Sequence, residues 1–147
     1  MRTPASIAKH PIHPMLVVFP LGLWIFSLIC DLIGLSVAAP AVWHTVAFYT
    51  MVGGLIGALA AAVPGLIDFL YYKGGASPVY KIALTHMTIN LTVVVLYAVN
   101  IWLRTSGQES MKVSVILSVI GVGMIAVSGW LGGQMVHVYG VGVETRE

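Results

Sequence analysis

The sequence predicts an all-α membrane protein, with four transmembrane helices in an up-down-up-down antiparallel bundle. Three observations carry that prediction. The 147 residues are 59% hydrophobic and only 8% charged, with a mean hydropathy of +0.96, a composition that the water-facing surface of a domain this small does not tolerate. Four apolar segments, at about 15–38, 43–71, 79–103 and 113–136, each exceed the roughly 20 residues a helix needs to cross the hydrocarbon core. The connections "AAPAV", "KGGASP" and "TSGQESM" are short, which makes consecutive helices antiparallel neighbours. Residues 1–147 are therefore read as a single domain embedded in the lipid bilayer.

The first segment opens at "KHPIHPMLVVFP", where prolines after His10 and His13 favour an extended or turn-like entry. Its basic start and the "SVAAPA" near its end imitate a secretory signal. The apolar stretch, however, outruns an h-region of about 7 to 15 residues and carries Pro20 and Asp31, so it is read as a retained span. At about 100° per residue, His13, Val17, Pro20, Trp24 and Asp31 share one face. Cys30, the single cysteine, has no intrachain partner, which excludes a disulfide and a cysteine-rich metal site.

The second segment begins with Trp43 and His44, both read as interfacial residues. Within it Gly53, Gly57, Ala61 and Gly65 recur every four residues, the small-residue ridge that lets a backbone or a flat ligand approach closely. Facing lipid, that ridge would serve a homodimer; facing the core, it would serve tight packing or a cofactor. Pro64 removes a backbone donor one turn before Asp68, so a kink or opened turn is expected there.

In the third segment His86, Asn90, Tyr97, Asn100 and Arg104 share a face over about 27 Å, a polar stripe that must meet protein or water rather than lipid. The fourth places Trp130, Gly133 and His137 on one side, and the closing "YGVGV" reads as a turn or short tail.

Of the seven basic residues, Arg2, Lys9, Lys73, Lys81 and Arg146 fall at the end holding both termini, and Arg104 and Lys112 at the other. That bias predicts both termini in the cytoplasm of a bacterial inner membrane. The antiparallel order then gathers His10, His13, Asp68, His86 and His137 at the cytoplasmic end. Asp31, Trp43, His44 and Arg104 fall at the opposite end, where Asp31 and Arg104 are expected to pair. The net charge of +2 leaves no nucleic-acid footprint.

"HPIHPMLVVFP", "PGLIDF", "THMTINL", "NIWLR" and "GWLGGQMVHVYGVGV", in that order, resemble the bacterial transmembrane family termed domain of unknown function 2231. The resemblance covers nearly the whole chain. It implies a four-helix membrane domain, some of whose relatives look fused to Rieske or cytochrome c modules, and so points to electron transfer, a b-type haem and a redox partner protein. The family pattern maps onto His13, Pro14, Pro20, Asp68, His86, Asn90, Arg104, Trp130, Gly132 and Gly133. Val18 departs from it, because many relatives carry a second histidine there, and a mechanism needing that histidine is not carried over.

A b-type haem needs imidazoles from facing helices, small residues to admit the macrocycle and polar groups near its propionates. His13 or His10 with His86 are the candidate iron ligands, and His137 competes as the partner of His86. Gly57 and Gly65 could admit the ring, Lys9, Lys73 or Lys81 could meet propionates, and Asp68 could fix an imidazole tautomer. Two or three of His10, His13, His86 and His137 with Asp68 would instead suit non-haem Zn or Fe. A third reading is a scaffold or assembly subunit whose His, Asn90 and Tyr97 side chains join helices. The chain carries no G-x-S-x-G, phosphate loop or HExxH motif, so any catalysis would be that of a bound cofactor.

Overall fold

The computed structural model describes residues 3–71, 77–107 and 110–143. A hairpin of β1 (Ser6–Ile7) and β2 (His10–Pro11) leads into α1 (Ile12–Leu16), α2 (Val18–Gly34), α3 (Pro40–Tyr71), α4 (Pro78–Thr105) and α5 (Met111–His137). Four spans, Ile12–Gly34, Pro40–Tyr71, Pro78–Thr105 and Met111–His137, are long and apolar enough to cross a membrane.

Prolines set most of the boundaries. Pro14 lies in the first turn of α1, where a missing N–H costs no helical bond, so the first span starts three residues earlier than expected. Pro20 offers no N–H to the Leu16 carbonyl and crowds it, and the helix is interrupted at Val17. Bonds from Val17 N–H to the His13 carbonyl (3.1 Å) and from Leu21 N–H to the Val17 carbonyl (3.2 Å) hold the two pieces in line. Pro40 and Pro78 stand at the first helical position, where a fixed φ helps, and the Ser77 hydroxyl caps α4 by accepting the Tyr80 N–H at 3.2 Å. After His137 the chain turns at Gly140 (φ 66°) and Gly142 (φ 77°), matching the expected non-helical tail.

The contacts fix the relative directions. His13, early in the first span, bonds Ala61, late in α3; His86, early in α4, bonds Ser128, late in α5; and Asn100, late in α4, bonds Ser114, early in α5. The first span and α3 thus run antiparallel to each other, as do α4 and α5. The bundle consists of two halves, α1–α2 against α3 and α4 against α5, closed by contacts of α3 with α4 and of α2 with α5.

All four spans contribute to the core of Trp24, Met51, Val93, Tyr97 and Ile125. Trp24 and Tyr97 stack with centroids 4.2 Å apart and planes 2° from parallel, and the Trp24 indole N–H donates to the Met51 carbonyl at 3.1 Å. Large side chains such as Ile56, Val95 and Trp130 point outward, as a lipid-facing surface requires. Lipid is as apolar as leucine, so close packing rather than hydrophobic exclusion must hold the helices together.

The glycine ridge of α3 supplies that packing. A Cβ on Gly53 would lie 3.3 Å from Leu23, and one on Gly57 would lie 3.0 Å from Phe19 and 3.2 Å from Pro20. The ridge therefore seats the first span. Gly57 is filled by Phe19 and Pro20, so its expected role of admitting a macrocycle is corrected.

Candidate functional site

At the end of the bundle holding the hairpin, His13 and His86 face each other across the seam between the halves. Their ring centroids are 6.3 Å apart and their planes 86° from parallel. Each ring is fixed by its own half. His13 Nδ1–H donates to the Ala61 carbonyl at 2.8 Å, and His86 Nδ1–H donates to the Ser128 carbonyl at 2.9 Å, with the Ser128 hydroxyl also at 2.9 Å. A carbonyl can only accept, so both Nδ1 atoms carry hydrogen, and in a neutral ring the lone pair is on Nε2. Among the described residues neither Nε2 has a hydrogen-bond partner.

The α3 backbone explains the seat of His13. The Ala61 carbonyl that accepts the imidazole lies one residue beyond the Ala60 carbonyl, which Pro64 leaves without a helical donor. A Cβ on Gly65 would lie 2.8 Å from His13 Nδ1, so only glycine leaves room for the ring; Gly132 gives His86 a looser bed at 3.4 Å. Gly65 therefore seats a histidine and is not the opening for a macrocycle that its spacing suggested.

Asp68 closes this end. Its Oδ1 accepts the Ala5 N–H at 2.9 Å, and it lies within electrostatic reach of His13. The Ala5 carbonyl accepts the Ile12 N–H at 2.9 Å, so the hairpin is strapped over the end of the bundle. Its two-residue turn holds Ala8 (φ 47°) and Lys9 (φ 70°) in the left-handed region, at a cost of about 1–2 kcal/mol per residue. Thr3, a buried residue of this strap, has a hydroxyl with no hydrogen-bond partner among the described residues.

The other expected site residues fall elsewhere. His10 is exposed, and its Nδ1–H is spent on the Ala8 carbonyl at 2.8 Å inside the hairpin, so the prolines of "HPIHP" send the two histidines in different directions. His137 makes no ring contact with His86, because it sits about 7.5 Å along α5 beyond Gly132. Asn90 donates to the His86 carbonyl of its own helix at 2.9 Å and does not cross the seam. Among the described residues no three His, Cys, Asp or Glu side chains gather to hold a metal ion, which removes the expected histidine–carboxylate cluster. Lys9 and Lys81 are exposed, and Lys73, Arg2 and Arg146 lie outside the described residues.

The opposite end holds a network that the sequence discloses only in part. Asp31, fully buried, receives Arg104 Nη1 at 3.1 Å and Nη2 at 2.5 Å, the expected ion pair, and also His44 Nδ1 at 3.2 Å. Arg104 Nε donates to Asn100 Oδ1 at 3.3 Å, and Asn100 Nδ2 donates to the Ser114 carbonyl at 2.9 Å and to Ser118 Oγ at 3.1 Å. His44 is thus tied to a buried acid, a partner that its neighbour Trp43 does not suggest. Its ring lies on Gly34, where a Cβ would come within 2.6 Å of Cε1. The signal for this was the spacing of Asp31, Gly34 and His44 around a short turn.

The family model described as predicted membrane protein, domain of unknown function 2231, matches residues 9–145. The chain belongs to this family. The match takes in all four spans, the His13–His86 pair and the Asp31–Arg104 network, and it starts inside the hairpin, leaving out the strap residues Thr3 to Ala8. Neither a curated protein nor a solved structure matches this family member.

Proposed function

We propose that this protein is an electron-transfer accessory subunit of a bacterial inner membrane, and that His13 and His86 hold a b-type haem as its axial ligands. One observation carries the reading: two imidazoles from opposite halves, each locked by a backbone carbonyl as the Nδ1–H tautomer, with centroids 6.3 Å apart. A carbonyl on the far nitrogen is the support that metal-bound histidines ordinarily have. The two Nε2 lone pairs are the donors that would hold the iron. The glycines expected to admit the macrocycle do not contribute, since Gly57 and Gly65 are filled. Bound haem would supply one-electron chemistry, and the chain's own part is to hold the two imidazoles against Ala61 and Ser128 and to shield that end with the hairpin. Asp68 is an electrostatic neighbour of His13 that fixes the strap rather than a ligand.

Orientation with both termini in the cytoplasm is supported by Lys9 and Lys81 at the histidine end. Of the two cations at the other end, Arg104 is committed to Asp31. A reporter fused to the C-terminus tests this, and activity specific to the periplasm would reverse it.

The test of the site is the dithionite-reduced minus oxidised spectrum of purified protein made with haem precursor supplied. A sharp α-band at near-stoichiometric intensity, lost in His13→Ala and His86→Ala and kept in His10→Ala and His137→Ala, is the expected result. A flat spectrum from folded protein removes the haem. It would favour a scaffold role, which the helix-to-helix bonds of His86, Asn100 and Arg104 also fit.

A further inference from the structure

The end of the bundle remote from the histidine pair carries an open cleft of about 330 Å³ lined by His44, Thr45, Phe48, Tyr49, Arg104 and Met111. We infer that this cleft binds a lipid-soluble hydroquinone, whose hydroxyl donates to His44 Nε2. This is a second site, independent of whether His13 and His86 hold a metal.

The polarity of the cleft selects the ligand. The buried Asp31 carboxylate can only accept, so it fixes the His44 tautomer with hydrogen on Nδ1 and turns Nε2 into an acceptor. Among the described residues His44 Nε2 has no hydrogen-bond partner, and the side chain keeps 21% of its surface exposed. Thr45 adds no donor, because its hydroxyl is given to the Ala41 carbonyl at 2.8 Å. The Arg104 charge is balanced by both oxygens of Asp31, which leaves the cleft without the excess positive charge that would select a phosphate or carboxylate. The remaining lining is Phe48, Tyr49 and Met111, two aromatic rings and a polarisable thioether suited to a planar ring, with the Tyr49 hydroxyl as a further polar group.

Position agrees with this chemistry. His44 lies in the first two turns of α3, Arg104 in the last turn of α4, and Met111 opens α5, so the cleft sits where the spans meet the headgroup region. Tyr49 is 68% exposed on the lipid side, and a molecule dissolved in the bilayer reaches the cleft without crossing water. The chain thus needs from its ligand a ring, one hydroxyl donor and membrane solubility, the three properties of a hydroquinone with an alkyl tail.

The experiment is nitrogen NMR of histidine-labelled full-length protein in nanodiscs, titrated with a decyl-substituted benzohydroquinone and, separately, with its oxidised benzoquinone. The His44 Nε2 resonance, assigned by its loss in His44→Asn, should shift saturably with the hydroquinone and not with the quinone, which has no hydroxyl to donate. His44→Asn keeps a donor for Asp31 but lacks an acceptor at the Nε2 position, and it should weaken binding at least tenfold. His44→Gln, whose amide oxygen can reach that position, should restore part of it. An unmoved His44 resonance, an equal shift with the quinone, or full binding by folded His44→Asn would each overturn the site.

Discussion

Arg104 grips Asp31 with both Nη atoms, at 3.1 and 2.5 Å, across 73 residues of sequence, and Asp31 is fully buried. Removing one partner leaves an uncompensated charge among apolar helices, which ordinarily costs about 3–5 kcal/mol. Arg104→Leu and Asp31→Leu should each lower stability by that order in a denaturant titration, and the double variant should recover much of the loss. Equal, additive losses would mean that the pair is not coupled.

Trp24 and Tyr97 tie the first span of one half to the third span of the other by a near-parallel stack. A double-mutant cycle with leucine at both positions should give a coupling of about 0.5–1.5 kcal/mol in favour of the pair. Thermal unfolding in detergent of the four proteins measures it, and a coupling near zero would reduce the stack to simple space filling.

Gly65→Ala puts a methyl group within 2.8 Å of His13 Nδ1, whereas Gly133→Ala meets nothing within 4 Å. The first should cost about 1–3 kcal/mol and displace His13 from the Ala61 carbonyl. The second should stay within about 0.5 kcal/mol of the parent. Paired unfolding curves distinguish the two, and indistinguishable curves would show that His13 relaxes without cost.

The strap gives two opposite expectations. Asp68→Leu removes the acceptor of the Ala5 N–H and should speed amide exchange at Ala5 about tenfold, the equivalent of about 1.4 kcal/mol. Thr3→Val removes a buried hydroxyl that has no partner among the described residues, keeps the shape, and should leave the strap as protected or more so. Faster exchange across residues 3–11 in Thr3→Val would mean that the hydroxyl does make a bond.

Much of this architecture is legible because a bilayer enforces a few simple rules. Span lengths, short connections and the polar stripe from His86 to Arg104 all follow from the cost of leaving polar groups in lipid, and Tyr97 and Asn100 are fully buried as that stripe requires. Side-chain direction at the helix ends was not legible. His10 and His13 stand three residues apart, but the hairpin turn at Ala8–Lys9 directs one outward and leaves the other inside. His44 reads as interfacial by its neighbour, and only the turn that brings Gly34 beneath it reveals its tie to Asp31. The ridge of α3 declared close packing, while its partner, the first span, emerges only from the fold.

The three-way meeting at Asp31 also sets an order of events during synthesis. His44 follows Asp31 by 13 residues and is made with the first helical hairpin, whereas Arg104 follows by 73 and enters the bilayer two spans later. In that interval His44 can give the aspartate a hydrogen bond, so it acts as an early companion that the guanidinium later joins. His44→Leu should therefore lower the yield of inserted chain more than it lowers the stability of the finished bundle. Pulse-labelling of insertion alongside unfolding of the purified variant compares the two, and equal losses would mean that the aspartate needs no early partner.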